Sequence, residues 1–268
     1  MGEAAGAAAV ILAAGLGSRL GAEGRGVPKC LTPVAGVPIL LRGLAALERA
    51  GAHEAVVVVG CMADAVRAAV GPRSGTLPVR YVENPCFAET GTSESLRLGL
   101  AAVGPSVEVL VLEGDVVFED ALLELLTAGP RLTATVVEPW EPRLSGTFVD
   151  VDAQGIVTDW VHERDRPPGT PLKNKFKTVN LTRFSADDVR VFLAPALDRA
   201  AAEEGGRAPL ETVMRRLVRE VGVQIAAVPT GGLRWFEVDT PADLAVAEAL
   251  FASGPGPARQ ENGLCAGL

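Results

Sequence analysis

Imidazole and thiol chemistry have little to work with in this chain, whose 268 residues include two histidines and four cysteines. Cys30, Cys61, Cys86 and Cys265 are irregularly spaced, with no CxxC pair and only His53 and His162 as nitrogen partners. That spacing argues against a zinc site and against a disulfide framework. No basic leader precedes the apolar start, Gly2 to Ala14, which runs straight into a glycine turn and reads as a buried strand rather than a signal peptide. No apolar run reaches the length of a membrane span. Cations are in deficit too: 25 Lys and Arg stand against 33 Asp and Glu, a formal net charge of -8. This disfavours nucleic acid and anionic membranes as partners, while leaving room for a small anionic substrate wherever Arg and Lys cluster. A reducing, cytoplasmic setting is the expectation.

What is present is an alternation. Apolar runs at Ala9 to Ala13, Ala55 to Val59, Val79 to Val82 and Val107 to Leu112 are separated by segments with helical spacing, Ile39 to Ala50, Met62 to Val70, Ser93 to Val103 and Glu119 to Leu126. The pattern predicts an α/β fold, a Rossmann-like α/β/α sandwich with helices on both faces of a mainly parallel sheet. After Ala128 the rhythm shortens to β-like stretches at Thr133 to Val137, Thr147 to Val151 and Ile156 to Val161, with a turn at Asp152 to Gly155. Lys177 to Phe184 reads as a further strand, Ala186 to Glu204 and Pro209 to Val221 as helices, and Val223 to Val228 as a late strand, so the sheet is expected to be mixed. One domain over 1–253 is expected, with a β-rich acceptor-binding section about 129–184, followed by a mobile tail over 254–268.

The most informative segment is the strand that opens into Gly15-Leu16-Gly17-Ser18-Arg19. Glycines let backbone N–H groups approach phosphate oxygens, and Arg19 can neutralise the charge. A GxG turn also serves purely steric ends. Two rival phosphate motifs fail: Leu20 stands where a dinucleotide-binding fingerprint needs its third glycine, and Lys29 is not in a GxxxxGK[ST] frame. Pro28, Pro33 and Pro38 keep the chain extended until a helix can begin near Pro38.

Two acids stand at positions suited to a metal. Asp115 follows an apolar run and so falls at the carboxyl end of a central strand, where open α/β sheets bind ligands. Near the other end, Thr240 is a natural N-cap with Pro241 at the first helical position and Asp243 three residues after the cap, leaving Asp239 unused by the helix. Magnesium takes a few carboxylates together with substrate phosphates and water.

Leu12 to Arg19 as LAAGxGxR, then Pro28-Lys29, then Pro33 to Pro38, resemble the signature of the nucleotidylyltransferase superfamily of sugar-1-phosphate nucleotidylyltransferases and small cytidylyltransferases. The resemblance implies a glycosyltransferase-A-like mixed sheet, as in nucleotide-diphospho-sugar transferases. It implies a nucleotide cradle of Leu12, Ala13, Ala14, Gly15, Gly17, Ser18 and Arg19, with Lys29 acting on phosphates during transfer. Asp115 and Asp239, the latter in a W-x-x-x-D stretch from Trp235, would bind magnesium, with Glu237 as an alternative or additional ligand. The helix start at Thr90 to Leu96, with Gly91, Thr92 and Ser93 foremost, offers backbone donors and hydroxyls to the base or the phosphates, although capping explains Thr92 equally.

Lys177-Thr178-Val179-Asn180 resembles the KTVN stretch of phosphocholine and aminoethylphosphonate cytidylyltransferases, which would place Lys177, with Asn180, at the acceptor's phosphoryl group. Glu94 with Trp140 or Trp160 is a candidate for an acceptor's ammonium group, since indole faces attract such cations. The expected reaction is transfer of CMP from CTP to phosphocholine, 2-aminoethylphosphonate, 2-hydroxyethylphosphonate or a similar acceptor, with release of pyrophosphate. Cytidine rests on resemblance alone. Alternatives are an enzyme making a nucleotide sugar, a nucleotide-sensing subunit without turnover, and a glycosyltransferase, for which Glu113-Gly114-Asp115 has the wrong first member of a DxD pair. A homodimer is possible, because apolar helices such as Ala242 to Phe251 can pack on a partner as well as on a core.

Overall fold

Ala9, Ile11 and Ala13 enter one apolar cluster and Val10 and Leu12 another, the period-two signature of a strand covered on both faces. In the computed structural model, which describes residues 6–17, 26–104, 107–128 and 132–252, this strand is β1 (Ala8–Ala13). It is followed by a hairpin of β2 (Pro33–Val34) and β3 (Val37–Pro38), then α1 (Ile39–Arg49), β4 (Glu54–Val59), α2 (Ala63–Val70), β5 (Arg73–Ser74) and β6 (Leu77–Glu83). Next come α3 (Thr92–Val103), β7 (Val109–Glu113), β8 (Val116–Phe118), α4 (Ala121–Ala128), β9 (Ala134–Pro139), β10 (Phe148–Val151), β11 (Val157–Val161) and β12 (Phe176–Phe184). The last part holds α5 (Ala186–Asp188), α6 (Ala194–Glu204), α7 (Leu210–Arg216), β13 (Ala226–Pro229), β14 (Trp235–Glu237) and α8 (Pro241–Ala252).

The main sheet has ten strands in the order β11-β10-β12-β7-β1-β4-β6-β5, with β9 and β13 branching off beside β12. β1 is parallel to β4 and β7, and β4 to β6, while β12 runs antiparallel to β7, β9 and β10. The expected mixed sheet is present. Side chains of α1, α2 and α4 build the apolar cluster on one face, and those of α3, α6 and α7 build the other.

Local departures have local causes. The single helix expected over Ala186 to Glu204 widens into wider turns at Val189–Leu193, because Pro195 lacks an N–H and its ring crowds the carbonyl four residues back. An extended backbone over Pro171 to Lys177 would put Lys173, Lys175 and Lys177 on one face, but the three do not share a strand. The chain turns at Lys173 and Asn174, Asn174 having φ +67°, and β12 begins only at Phe176. The expected tail lies outside the described residues.

Candidate active site

The two aspartates meet because of a small ribbon that sequence patterning did not reveal. β8 pairs antiparallel with β14, Glu237 opposite Val116, and the Val238 N–H donates to the Asp115 carbonyl at 2.9 Å. Antiparallel pairing sets the start of one strand beside the end of the other, so Asp115 and Asp239 come together although far apart in sequence. At the other end of the ribbon, Arg234 grips Glu119 through Nε at 2.9 Å and Nη2 at 2.7 Å. Beyond it, Thr240 and Asp243 close a reciprocal cap: the Asp243 N–H donates to the Thr240 hydroxyl at 3.2 Å, and the Asp243 carboxylate accepts from the Thr240 N–H at 2.8 Å.

A cleft of about 280 Å³ opens over the carboxyl ends of the central strands. Leu12, Ala13, Ala14, Gly15 and Gly17 form one wall, and Lys29, Asp115 and Asp239 another. Gly17 has φ +61°, and a Cβ there would come within 3.1 Å of the Lys29 Cβ, so the turn folds tightly against the lysine stem. Ser18 and Arg19 lie outside the described residues. Lys29 Nζ donates to Asp115 Oδ2 at 2.5 Å and to Asp239 Oδ1. Burial works against the ammonium's charge, but the two carboxylates more than offset it and hold the group well above the usual lysine range. Cys30 also lines the cleft, and burial pushes its thiol up to about 12, which keeps it protonated and unsuited to attack.

Gly91 and Thr92 line the cleft as expected, but Ser93 does not. Its buried hydroxyl donates to the Ala208 carbonyl at 2.6 Å, and the Thr92 hydroxyl accepts from the Leu210 N–H at 2.9 Å, so these groups tether the segment before α7. A Cβ on Gly91 would lie 2.1 Å from the Ala208 oxygen. The loop before Gly91 is organised by buried Asn84, whose Nδ2 donates to Thr90 Oγ1 at 3.0 Å and Ser95 Oγ at 3.2 Å. Phe87, Thr90 and Ser95 thereby reach the cleft, and of these Phe87 was marked by no sequence feature.

Glu113, Asp115 and Glu237 each offer an oxygen within 4.8 Å of the others, and Asp239 meets Asp115 through Lys29. Glu113, dismissed as a mismatched DxD member, therefore belongs to the acid cluster. Burial, then Asp115, Glu211 and Glu237, drive its carboxyl well above the ordinary glutamate range, with Lys177 opposing. Burial likewise raises Glu237; Lys177 pulls it down, and Asp115 and Asp239 push it up.

The KTVN segment holds two of these acids. Lys177, 4% exposed, donates to Glu237 at 3.1 Å. Asn180 sits at a bulge in β12 with φ +61°, which turns its amide toward Glu113 at 3.0 Å.

The ammonium site expected from Glu94 with Trp140 or Trp160 is not assembled. Glu94 is clamped by Arg97 through two 2.8 Å bonds, and the Arg166 guanidinium lies 5.8 Å over the Trp140 ring. Trp160 instead lines a second cavity of about 20 Å³ with Glu113, Asn180 and Glu211. No described helix is long and apolar enough to cross a membrane.

A glycine-walled cleft that ends in converging acids and a lysine is a nucleotide-transfer architecture, and the sequence agrees. Residues 9–217 match the MobA-like NTP transferase domain, and the chain belongs to that family. Within it, the chain is similar to CMP-5'-(3-aminopropyl)phosphonate synthase of Streptomyces rubellomurinus, 37% identical over 245 residues that cover 91% of this chain and 38% of that protein. It is also 31% identical over 250 residues to the bifunctional IPC transferase and DIPP synthase of Rubrobacter xylanophilus, covering 91% of this chain and 52% of that protein. The chain thus spans about two fifths to one half of these curated relatives. The fold is shared with the CTP:phosphocholine cytidylyltransferase of Streptococcus pneumoniae, at TM-score 0.75 and 17% identity over 91% of this chain and 98% of that one. It is shared as well with the inositol-1-phosphate CTP transferase of T. maritima, at TM-score 0.71 and 20% identity over 94% and 99%.

Proposed function

We infer that the chain is a cytidylyltransferase that moves CMP from CTP to a small amine-bearing phosphonate or phosphate and releases pyrophosphate, working in the cytoplasm. The observation that carries this reading is the convergence of Asp115 and Asp239 on Lys29 at the rim of the glycine-walled cleft. The Streptomyces relative, a CMP-5'-(3-aminopropyl)phosphonate synthase, supports the acceptor class.

The residues fit a magnesium ion. Asp115 Oδ1 is buried and has no hydrogen-bond partner, and the donors are hard carboxylate oxygens without Cys or His. Asp115 and Asp239 would hold the ion, with Glu237 and Glu113 beside them, and when bound it supplies charge neutralisation at the reacting phosphate. Backbone N–H groups from Ala13 to Gly17 cradle the triphosphate, and Lys29 draws charge from it. An acceptor oxygen bonds to the α-phosphorus as the bridging α–β P–O bond breaks, and pyrophosphate leaves with that electron pair. The attacking oxygen is already anionic near neutral pH, so alignment and neutralisation matter more than a general base. Lys177, ion-paired with Glu237, would supply positive charge for the acceptor's phosphonyl group. The acceptor's amino end would lie toward Glu113, Glu211 and Trp160, where the small cavity has room for a water-sized group.

Pyrophosphate release, measured for all four triphosphates against aminoalkylphosphonates, hydroxyethylphosphonate, phosphocholine and glucose-1-phosphate, tests this. CTP with an aminoalkylphosphonate is the expected best pair. Release with glucose-1-phosphate alone would establish the nucleotide-sugar alternative, and no release from any pair would favour a sensing role.

A further inference from the structure

Lys29 stands between two surfaces that attract it. Its backbone is fixed in a turn by the Leu31 N–H to Pro28 carbonyl bond of 2.8 Å and the Thr32 N–H to Lys29 carbonyl bond of 3.1 Å, and its stem packs on Gly17. The ammonium reaches across the cleft to bridge Asp115 and Asp239. One positive charge from within the chain is thereby shared between the two carboxylates. Only 13% of the Lys29 side chain is exposed, so bulk water competes poorly for these contacts.

The pair of acids that the functional reading assigns to a divalent ion is the pair that holds this ammonium. Two cations crowding the same oxygens repel one another strongly in so sheltered a place. Resting on that reading, we propose that Lys29 is a resident counter-ion of the acid pair, released to the triphosphate when the cleft loads, so that divalent ion and nucleotide bind as a linked pair. A free ion meets an acid pair that already holds an ammonium, and binds weakly. A triphosphate on the glycine turn offers the ammonium a second anion within reach of the same stem, and the coupling is reciprocal: each ligand improves the other's affinity by the same factor. Asp115 Oδ1, buried and unpartnered while Lys29 occupies Oδ2, is the acceptor left ready for the ion.

Mn2+ serves as the probe, its free signal read by electron paramagnetic resonance with the full chain and no nucleotide. Lys29→Met is expected to bind Mn2+ at least about tenfold more tightly than wild type, because one positive charge has left the site. Lys29→Arg keeps the charge and should stay near wild type, and adding Asp115→Asn to Lys29→Met should erase the gain. Equal affinity in wild type and Lys29→Met overturns the proposal. Since Lys29→Met leaves two carboxylates uncompensated and can cost the fold, a second measurement uses the wild-type chain. The nitrogen-labelled side-chain signal of Lys29 is expected to hold its ion-paired position with Mg2+ alone at concentrations that leave the site empty. It should move when Mg2+ and a non-hydrolysable CTP analogue are added together. Occupation of the ion site with that signal unmoved sinks the idea. Tighter Mn2+ binding by Lys29→Met, with no pyrophosphate released by the wild type from any pair, would retain the counter-ion and overturn the functional reading. Turnover with unchanged Mn2+ affinity would do the reverse.

Discussion

Glu113 allows the folding cost of the acid cluster to be measured. Burial raises its carboxyl first and its acidic neighbours push it higher, while in the unfolded chain it titrates as an ordinary glutamate near about 4.3. Between that pH and the raised folded value, the native protein holds a proton that the unfolded chain has released. Stability therefore falls as pH rises through this window. Glutamine at this position keeps an oxygen to accept the Asn180 amide, which lies at 3.0 Å, and carries no charge. The oxygens of Glu113, Asp115 and Glu237 lie within 4.8 Å of one another. At an effective dielectric of about 20, two unit charges near that separation repel by about 3.5 kcal/mol. Lys29 on Asp115 and Lys177 on Glu237 cancel part of this. Glu113→Gln is accordingly expected to stabilise the chelator-treated protein by about 2 kcal/mol near pH 8, with almost no gain near pH 4.5. Urea unfolding followed by tryptophan fluorescence across that range measures it. A difference that does not grow from acid to alkaline pH, or a net loss of stability near pH 8, would refute the reasoning. Activity should fall in the same variant, since the repulsion is retained for function.

Asp115→Asn should lower pyrophosphate release by about a hundredfold or more while circular dichroism stays native, because it removes a carboxylate from the ion site; near-normal turnover would displace Asp115 from its role. Gly91→Ala sets a methyl 2.1 Å from a backbone oxygen that cannot swing aside. It is expected to cost about 2 kcal/mol in urea unfolding and to raise the KM for triphosphate. Thr240→Ala breaks the cap beside Asp239 and should cost about 1 kcal/mol, with a matching decline in divalent-ion affinity read by Mn2+ binding. Glu211→Gln should erode the preference for an aminoalkylphosphonate over its hydroxyl analogue, compared as kcat/KM, and an unaltered ratio would move the amino end elsewhere.

The central strands and the glycine turn were legible because buried parallel strands are unbroken apolar runs and because few residue types fit a tight turn over phosphates. The ribbon of Val116–Phe118 and Trp235–Glu237 was not, since three residues show no period, yet it is what joins the two aspartates. Glu113 failed a pattern that demands aspartate, and only the register of β7 reveals where its longer side chain ends. Asn180 reaches Glu113 because of a left-handed bulge that residue spacing cannot signal. For Glu94 a signal was available: Arg97 lies three positions on, the distance at which a helix brings opposite charges together.

The ribbon has a wider consequence. The chain between Glu119 and Arg234 is clasped at its two ends by the ion pair of those residues, and from within it β12 pairs with β7 while Lys177 and Asn180 hold Glu237 and Glu113. Loops of this segment away from β12 can lengthen or shorten while the ribbon keeps Asp115 beside Asp239. A short ribbon thus fixes the acid pair, whatever the surrounding loops become.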